Sequence, residues 1–187
     1  MNPSFSLPSF FIVFLVLNFH NVNGDLIKDV CKNASKNTPP VKEFKVEYDF
    51  CVASLMANPK SKDADLRGLG IISMQTCLQN ATSVHSYIAQ LLKDRKTQPI
   101  AKSSIRSCLH EYRGAIRSVK KATASFKTKD FSSANIQMSA AMEASILCEY
   151  EFEEVLLGPA LPSPLTKQNG DFFQLTGISL AITNMVK

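Results

Sequence analysis

The side chains best suited to redox or metal chemistry in this sequence are its cysteines. The 187-residue chain has five of them, at positions 31, 51, 77, 108 and 148. None belongs to a Cys-x-x-Cys pair, which argues against a structural zinc site and against a thioredoxin-type redox centre. The odd number leaves at least one cysteine without a disulfide partner inside the monomer.

Residues suited to acid–base or nucleophilic catalysis are few and poorly spaced. Neither His85 nor His110 belongs to a His-Glu-x-x-His motif, and Cys77 precedes His85 by eight residues. Eight helical residues rise about 12 Å, which is too far for a catalytic cysteine–histidine hydrogen bond. The chain also lacks a Gly-x-Ser-x-Gly elbow, a phosphate-binding glycine loop and a dinucleotide fingerprint. We therefore expect no catalytic residue, no metal and no cofactor, and favour a binding protein over an enzyme.

Charged residues form two further clusters. The glutamates between positions 149 and 154 are most simply a solvated helix face rather than the carboxylate pair of a glycosidase. Basic residues repeat at helical spacing at Arg106, Arg113, Arg117 and Lys120. The simplest interpretation is again a solvated face, and the alternative is a surface for an acidic polysaccharide or an acidic protein. We expect no nucleic-acid binding, because no surface aromatic residues interleave with the basic ones.

The N-terminal residues indicate export. Residues 10–19 form an apolar run of ten residues, which suits a signal-peptide core, whereas a membrane span needs about 20 apolar residues. We expect residues 1–24 to be a signal peptide cleaved after Gly24, with an uncleaved anchor or a buried helix as the alternative. The mature chain is then secreted and extracellular, without a membrane span. In an exported protein, the sequons that begin at Asn33 and Asn80 are candidate N-glycosylation sites.

Composition and apolar spacing predict an all-α protein. The 45% hydrophobic and 20% charged content excludes a disordered or collagen-like chain, and only 7 Gly argue against a β-sandwich or barrel. The net charge of +5 bears on partners rather than on fold. Apolar residues at helical spacing predict helices over 63–94, 105–126, about 132–157 and 167–185, and two shorter ones over 26–36 and 43–57.

Four amphipathic helices with short connections bury one another best as an antiparallel up-down-up-down four-helix bundle. We expect this bundle over 59–187, preceded by an N-terminal α-helical hairpin over 25–58, together forming one domain. Ser132 or Ser133 is the predicted cap of the third bundle helix. The predicted buried face of that helix contains Ile136, Ala140, Ala144, Leu147, Cys148 and Val155.

The chain organisation narrows the pairing of the cysteines. Cys31 and Cys51 lie on the two arms of the hairpin, which is too small for a core of its own and therefore needs a covalent link. Cys108 and Cys148 lie on consecutive bundle helices and would join them. Cys77 remains and falls on an apolar helix face, so we expect a buried free thiol. An intermolecular disulfide or a redox role is the alternative for Cys77.

An ordered set of short motifs runs along the whole mature chain. It comprises Tyr48-Asp49-Phe50-Cys51-Val52, Asn58-Pro59-Lys60-Ser61, Gly68-Leu69-Gly70, Lys129-Asp130-Phe131, Met138-Ser139-Ala140-Ala141, Cys148-Glu149, Ser163-Pro164 and Gln174-Leu175-Thr176. With these motifs the sequence resembles the plant invertase and pectin methylesterase inhibitor family, and within it the invertase-inhibitor-like pollen allergens of plane trees. The resemblance implies the same bundle with its hairpin and the disulfides Cys31–Cys51 and Cys108–Cys148.

The resemblance also implies a protein partner in the plant cell wall, either an acid invertase or a pectin methylesterase. Some invertase inhibitors insert a Pro-Lys-Phe turn into the enzyme, and the matching turn here contains Lys129, Asp130 and Phe131 without the proline. Lys129 would pair with a carboxylate of the invertase cleft while the Phe131 ring fills a sugar subsite, the alternative being a helix cap and a core phenylalanine. For a methylesterase, the basic helix face from Arg106 to Lys120, including Arg113 and Arg117, is the candidate surface. A protein that keeps the fold without inhibiting is the third alternative, and we expect a monomer or weak dimer.

Overall fold

The computed structural model describes residues 22–153 and 161–186, and the side chains of these residues from Gly24 onward. The predicted signal peptide lies almost wholly outside the described residues, as does Val155 of the predicted third helix face, and both stay predictions. The described helices are α1 (Val22–Asn37), α2 (Tyr48–Met56), α3 (Leu66–Lys93), α4 (Lys102–Lys127), α5 (Phe131–Tyr150) and α6 (Thr166–Met185), with 3₁₀ turns at Pro59–Lys62 and Pro99–Ala101.

The helices form an antiparallel four-helix bundle with a hairpin before it, which confirms the predicted fold class. In the bundle, α3 packs against α4 and α6, and α5 packs against the same two helices from the opposite side. The hairpin of α1 and α2 rests mainly on α6. The described residues contain no strand, only one isolated β-bridge between Val41 and Phe44. No described helix is both long and apolar enough to cross a membrane.

The inward face of α4 follows its sequence pattern closely. Its buried apolar residues recur every three or four positions, as the helical spacing predicts. Toward the start of the helix, Ser104 donates a hydrogen bond to the carbonyl of Glu151 (2.7 Å) and so ties α4 to the chain that leaves α5. The buried residues of α4 are Ser104, Ile105, Cys108, Tyr112, Ala115, Val119, Ala122 and Phe126.

The predicted inward face of α5 is wrong for three of its members. Ile136 is 63% exposed and Leu147 46% exposed, and Ala140 is exposed as well. The inward side of α5 is built mostly from small side chains, which let α4 and α6 approach closely, and this close packing outweighs the burial of two larger residues. The residues that α5 buries are Ala134, Met138, Ala141, Ala144, Ser145, Cys148 and Glu149.

Two helix boundaries differ from the prediction by five residues or more. Helix α5 ends at Tyr150 rather than near residue 157, because the chain turns there to bury Phe152, whose carbonyl accepts a hydrogen bond from the Leu161 amide (2.8 Å). Helix α2 begins at Tyr48 rather than at residue 43. The residues before it form a turn that buries Phe44 and Val46 against the bundle instead of continuing a helix.

Polar and aromatic contacts dock the hairpin and its loop onto the bundle. The Phe44 ring packs against Phe173 of α6 with centroids 5.8 Å apart. The backbone amide of Glu47 donates to the Gln174 side-chain oxygen (2.9 Å). At the far end, the Lys42 ammonium pairs with Glu153 (2.6 Å) and lies 3.7 Å from the centre of the Tyr150 ring.

Candidate functional site

The turn between α4 and α5 is tightly defined by its backbone. Lys129 adopts a left-handed conformation with φ of 65°. Its amide donates to the Phe126 carbonyl (3.1 Å), and the Asp130 amide donates to the Ser125 carbonyl (2.9 Å). These two bonds form a Schellman motif, in which the left-handed position is usually glycine. A lysine in this conformation costs about 1–2 kcal/mol of backbone strain. Its side chain is exposed at the tip of the turn.

Asp130 is the N-cap of α5, so the predicted cap at Ser132 or Ser133 is wrong by two or three residues. Its Oδ1 accepts the amide of Ser133 (3.0 Å) and satisfies one of the free donors at the helix start. Hydrogen bonding from the side chain and the backbone of Ser133 lowers the pKa of the Asp130 carboxyl below its usual value. Asp130 therefore stays ionised and serves the turn as a structural residue.

Phe131 is half-buried and anchors the turn to the bundle. Its ring packs edge-on against the buried ring of Phe126, with centroids 5.2 Å apart. The guanidinium of Arg67, in the first turn of α3, lies 5.6 Å from the centre of the Phe131 ring. Of the three turn residues proposed for binding, Lys129 is therefore exposed at the tip, whereas Phe131 is held against the protein.

Arg113 and Arg117 form a separate surface on the exposed side of α4. Within the described residues, no carboxylate oxygen lies within 4.0 Å of either guanidinium. Measured along the helix axis, the two residues lie about 24 Å and 18 Å from Lys129. The structure thus does not bring these arginines together with the turn, and the five residues proposed for partner binding form two sites.

The cysteines form two disulfides and leave one thiol. Cys31 is joined to Cys51 within the hairpin, and Cys108 is joined to Cys148 between α4 and α5. These are the pairs that the chain organisation and the family resemblance favour. Cys77 is a buried free thiol, and its sulfur lies 3.4 Å from the Ser179 hydroxyl. Burial raises the pKa of the Cys77 thiol to about 12.

We expect Cys77 to react with an aromatic disulfide reagent only after the chain unfolds. With a pKa of about 12 against an ordinary value of about 8.5, the reactive thiolate is about a thousandfold scarcer in the folded state at mildly alkaline pH. Labelling without reductant should be very slow in buffer and reach one thiol per chain in denaturant. Rapid labelling of the folded protein, or no free thiol after unfolding, would contradict this assignment.

Glu149 is not part of a solvated acidic face, which corrects the interpretation of the glutamate cluster. Its side chain is only 7% exposed. Its oxygens accept hydrogen bonds from Asn169 (2.7 Å) and from Thr166 (2.5 Å). Asn169 in turn accepts a bond from the Tyr112 hydroxyl (2.8 Å). The sequence pattern missed this network because nothing in the local spacing separates Glu149 from the glutamates that follow it.

The two glycosylation sequons lie in different surroundings. Asn33 on α1 is half-buried and lines a groove of about 340 Å³ between the hairpin and the bundle, whose other lining residues include Asn37, Asn135 and Asn184. Asn80 on α3 is also half-buried, and its side-chain oxygen is buried without a hydrogen-bond partner among the described residues. In the described part of the chain, no three His, Cys, Asp or Glu residues converge as metal ligands would.

Comparison with known proteins places these features in context. Residues 25–182 match the family model described as "Plant invertase/pectin methylesterase inhibitor". A Platanus acerifolia protein named "Putative invertase inhibitor" is 42% identical over 186 residues, covering 100% of this chain and 99% of that protein. "Pectinesterase inhibitor 2" of Arabidopsis thaliana is 30% identical over 180 residues, covering 96% and 95%. A crystal structure of a pectin methylesterase inhibitor from Arabidopsis thaliana shares the fold, with a TM-score of 0.59 at 21% identity over 87% of this chain and 97% of that one.

Proposed function

Because the chain belongs to the plant invertase/pectin methylesterase inhibitor family, we propose that it is a secreted protein inhibitor of an acid invertase. The observation that carries the proposal is the exposed Lys129 at the strained tip of the α4–α5 turn. The high identity to the Platanus protein named as an invertase inhibitor supports the choice of target.

Inhibition proceeds by blocking the active-site cleft. An invertase is a glycosidase, and the retaining type of glycosidase cleft holds two carboxyl groups about 5 Å apart. The ammonium of Lys129 complements such a negatively charged cleft. The turn is already rigid, because Asp130 caps α5 and Phe131 packs on Phe126. Little conformational entropy is therefore lost when the turn enters the enzyme. Phe131 acts mainly as the support that directs Lys129, and its exposed edge contributes apolar contact.

Replacing Lys129 by glycine tests the proposal, because stability and inhibition should change in opposite directions. Glycine relieves the left-handed strain and should raise the free energy of unfolding by about 1 kcal/mol. The same substitution removes the cation and should weaken inhibition of a cell-wall acid invertase by about a hundredfold, as expected for the loss of one partner of a buried charge pair. Inhibition constants at wall pH and denaturant titrations measure the two effects.

The matched control is Lys127→Ala, which removes an exposed lysine only two residues away. It should leave the inhibition constant within about threefold, the range typical of exposed rim charges. Phe131→Ala should weaken inhibition while also lowering stability, because the Phe126 contact is lost. A Lys129→Gly variant that inhibits as well as the wild type would place the interface elsewhere.

A pectin methylesterase is the second candidate target. It is favoured by the exposed guanidinium groups of Arg113 and Arg117, which have no ion-pair partner among the described residues, and by the relatives named as pectinesterase inhibitors. Assaying both enzymes with Arg113→Ala/Arg117→Ala and Lys129→Gly separates the two targets. Loss of methylesterase inhibition in the arginine variant alone would favour this target. Failure of the wild type to inhibit either enzyme would leave only a non-inhibitory protein of this fold.

The remaining properties belong to the same proposal. Residues 1–24 are removed as a signal peptide, and the mature chain, with its hairpin over 25–58 and bundle over 59–187, acts as one extracellular domain without enzymatic activity. It is a monomer or weak dimer that binds neither nucleic acid nor membranes and carries N-glycans at Asn33 and Asn80. The intact mass of the secreted protein tests the cleavage after Gly24 and the glycans, and its elution volume tests the oligomeric state.

A further inference from the structure

Positive charge is concentrated on two neighbouring helices. Helices α3 and α4 pack against each other and together contain nine Lys or Arg residues but a single carboxylate, Glu111. The whole chain carries a net charge of only +5, so the rest of the sequence is slightly acidic. The asymmetry makes one side of the bundle electropositive.

The exposed side of α4 carries a straight row of cationic residues, which we call the cationic stripe. All of its members are exposed, and successive members are three, four or seven positions apart, so they share one helix face. The row is about 30 Å long. The members of the cationic stripe are Arg106, Arg113, Arg117, Lys120 and Lys127.

Ion pairing within the described residues distinguishes the cationic stripe from several other basic residues. Elsewhere on the protein, lysines pair with carboxylates, as Lys42 does with Glu153 at 2.6 Å and Lys167 with Asp171 at 2.6 Å. Among the described residues, no carboxylate pairs with any member of the cationic stripe. The members are thus free to bind external anions without first breaking an ion pair.

We propose that the cationic stripe binds a linear, carboxylate-bearing polysaccharide. Guanidinium groups match carboxylates in a bidentate geometry, and the helix presents the basic residues of the stripe at axial steps of about 4.5 to 10.5 Å to a polymer with one acid group per sugar. Apart from Lys127, the members of the stripe lie about 13 Å or more from Lys129 along the helix axis, so binding of the polymer to them would hold the protein in an anionic matrix while the turn stays free.

The composition of the stripe disfavours the other polyanions and partners. It has no exposed aromatic ring for stacking a nucleic-acid base, since Tyr112 and Phe126 of the same helix are buried. It has no exposed large apolar residue for insertion into a lipid surface, because Leu109 and Ile116 are half-buried beneath it. A globular protein partner usually requires an apolar or aromatic anchor, which the stripe also lacks.

The test compares two double charge reversals that change the net charge equally. Arg106→Glu/Lys120→Glu alters the stripe at two positions that have no proposed role in invertase binding. Lys36→Glu/Lys60→Glu alters two exposed lysines outside α3 and α4. Affinity of the secreted protein for polygalacturonate is measured at low and at physiological salt. We expect the stripe variant to bind at least about tenfold more weakly and with a shallower salt dependence, whereas the control stays within about twofold of the wild type.

Parallel probes separate the remaining outcomes. Fully methyl-esterified polygalacturonate, which has lost its charges, should not bind. Equal loss in both charge-reversal variants would show a mere net-charge effect and overturn the proposal, as would absence of wild-type binding at low salt. Dextran sulfate, single-stranded DNA or anionic phosphatidylserine vesicles binding more tightly than polygalacturonate would assign the stripe to another anion. Invertase inhibition by the stripe variant should be unchanged. A failure of the polysaccharide-binding proposal can therefore be distinguished from a failure of the proposed inhibitor function.

Discussion

Replacing Asn169 by leucine is expected to lower the free energy of unfolding by about 3–5 kcal/mol, a severe loss for a single substitution. Asn169 is fully buried and connects two polar groups of the core. Its amide nitrogen donates to Glu149 (2.7 Å), and its oxygen accepts from the Tyr112 hydroxyl (2.8 Å). Leucine fills a similar volume but makes neither bond. Among the described residues, the buried Glu149 side chain then keeps the Thr166 hydroxyl as its one side-chain donor. Urea titration near neutral pH measures the loss.

Tyr112→Phe is the matched control, because it removes one hydrogen bond and leaves Glu149 satisfied. It should cost about 1 kcal/mol.

The wild type is also expected to lose stability above about pH 10, where the tyrosines of the unfolded chain ionise. Burial, with a smaller contribution from the negative charges of Glu149 and Asp171, raises the pKa of Tyr112, so the folded state keeps this proton. The unfolded state then binds fewer protons than the folded state and is favoured as pH rises. Tyr112→Phe should remove that part of the alkaline decline.

A loss in Asn169→Leu no larger than the loss in Tyr112→Phe would contradict this account. It would mean that the Glu149 side chain finds another hydrogen-bond donor when Asn169 is absent. An unreactive Cys77 thiol shows that Asn169→Leu has folded, because Cys77 becomes accessible only when the bundle opens. The severe loss is thereby distinguished from a chain that never folds.

The bundle could be predicted from the sequence wherever polar and apolar residues separate cleanly. Helix α4 has apolar residues on one side and basic residues on the other, so most of its buried face follows from the spacing, although Ser104 and Ala115 are buried as well and Ile116 is only half-buried. Helix α5 has alanine, serine and methionine on most sides, and its buried face could not be identified from spacing alone. There, close packing between small residues decides the orientation, and such packing depends on neighbouring helices rather than on the local sequence.

The candidate site was predicted in its location but not in its geometry. The position of Lys129 between two helices follows from the sequence, whereas its left-handed backbone does not, since glycine is the expected residue for a Schellman motif. The cap at Asp130 was missed because nearby serines are equally good caps by type. Likewise, the separation of the turn from Arg113 and Arg117 becomes evident only when α4 is known to be a continuous straight helix.

A second large effect is expected at the contact between the hairpin loop and α6. Gly177→Ala should destabilise the protein by about 1–3 kcal/mol through overpacking. A β-carbon at this position would lie 2.6 Å from a methyl carbon of Val46 and 3.2 Å from one of Thr38. Both residues are in or beside the loop that docks the hairpin, so the loop must move away. Thermal unfolding and limited proteolysis between residues 38 and 47 measure the loss of stability and of docking.

Gly114→Ala makes the same chemical change where there is space, and it therefore isolates the contact from helix propensity. The nearest group to a β-carbon at Gly114 is the Arg117 side chain at 4.0 Å. Alanine is favoured over glycine in a helix by about 1 kcal/mol, so this control should stabilise the protein. If Gly177→Ala also proved stabilising, the hairpin loop would have to shift at no cost, and tight docking would be contradicted.

The same pair of variants tests whether the hairpin takes part in inhibition. The Lys129 turn is held by contacts among α3, α4 and α5, through Arg67, Phe126 and Phe131. None of these contacts involves the hairpin loop that Gly177→Ala displaces. The inhibition constant of the remaining folded protein should therefore stay within about threefold of the wild-type value. A larger loss would show that the hairpin contributes directly to the enzyme interface, because the supports of the turn itself are unchanged.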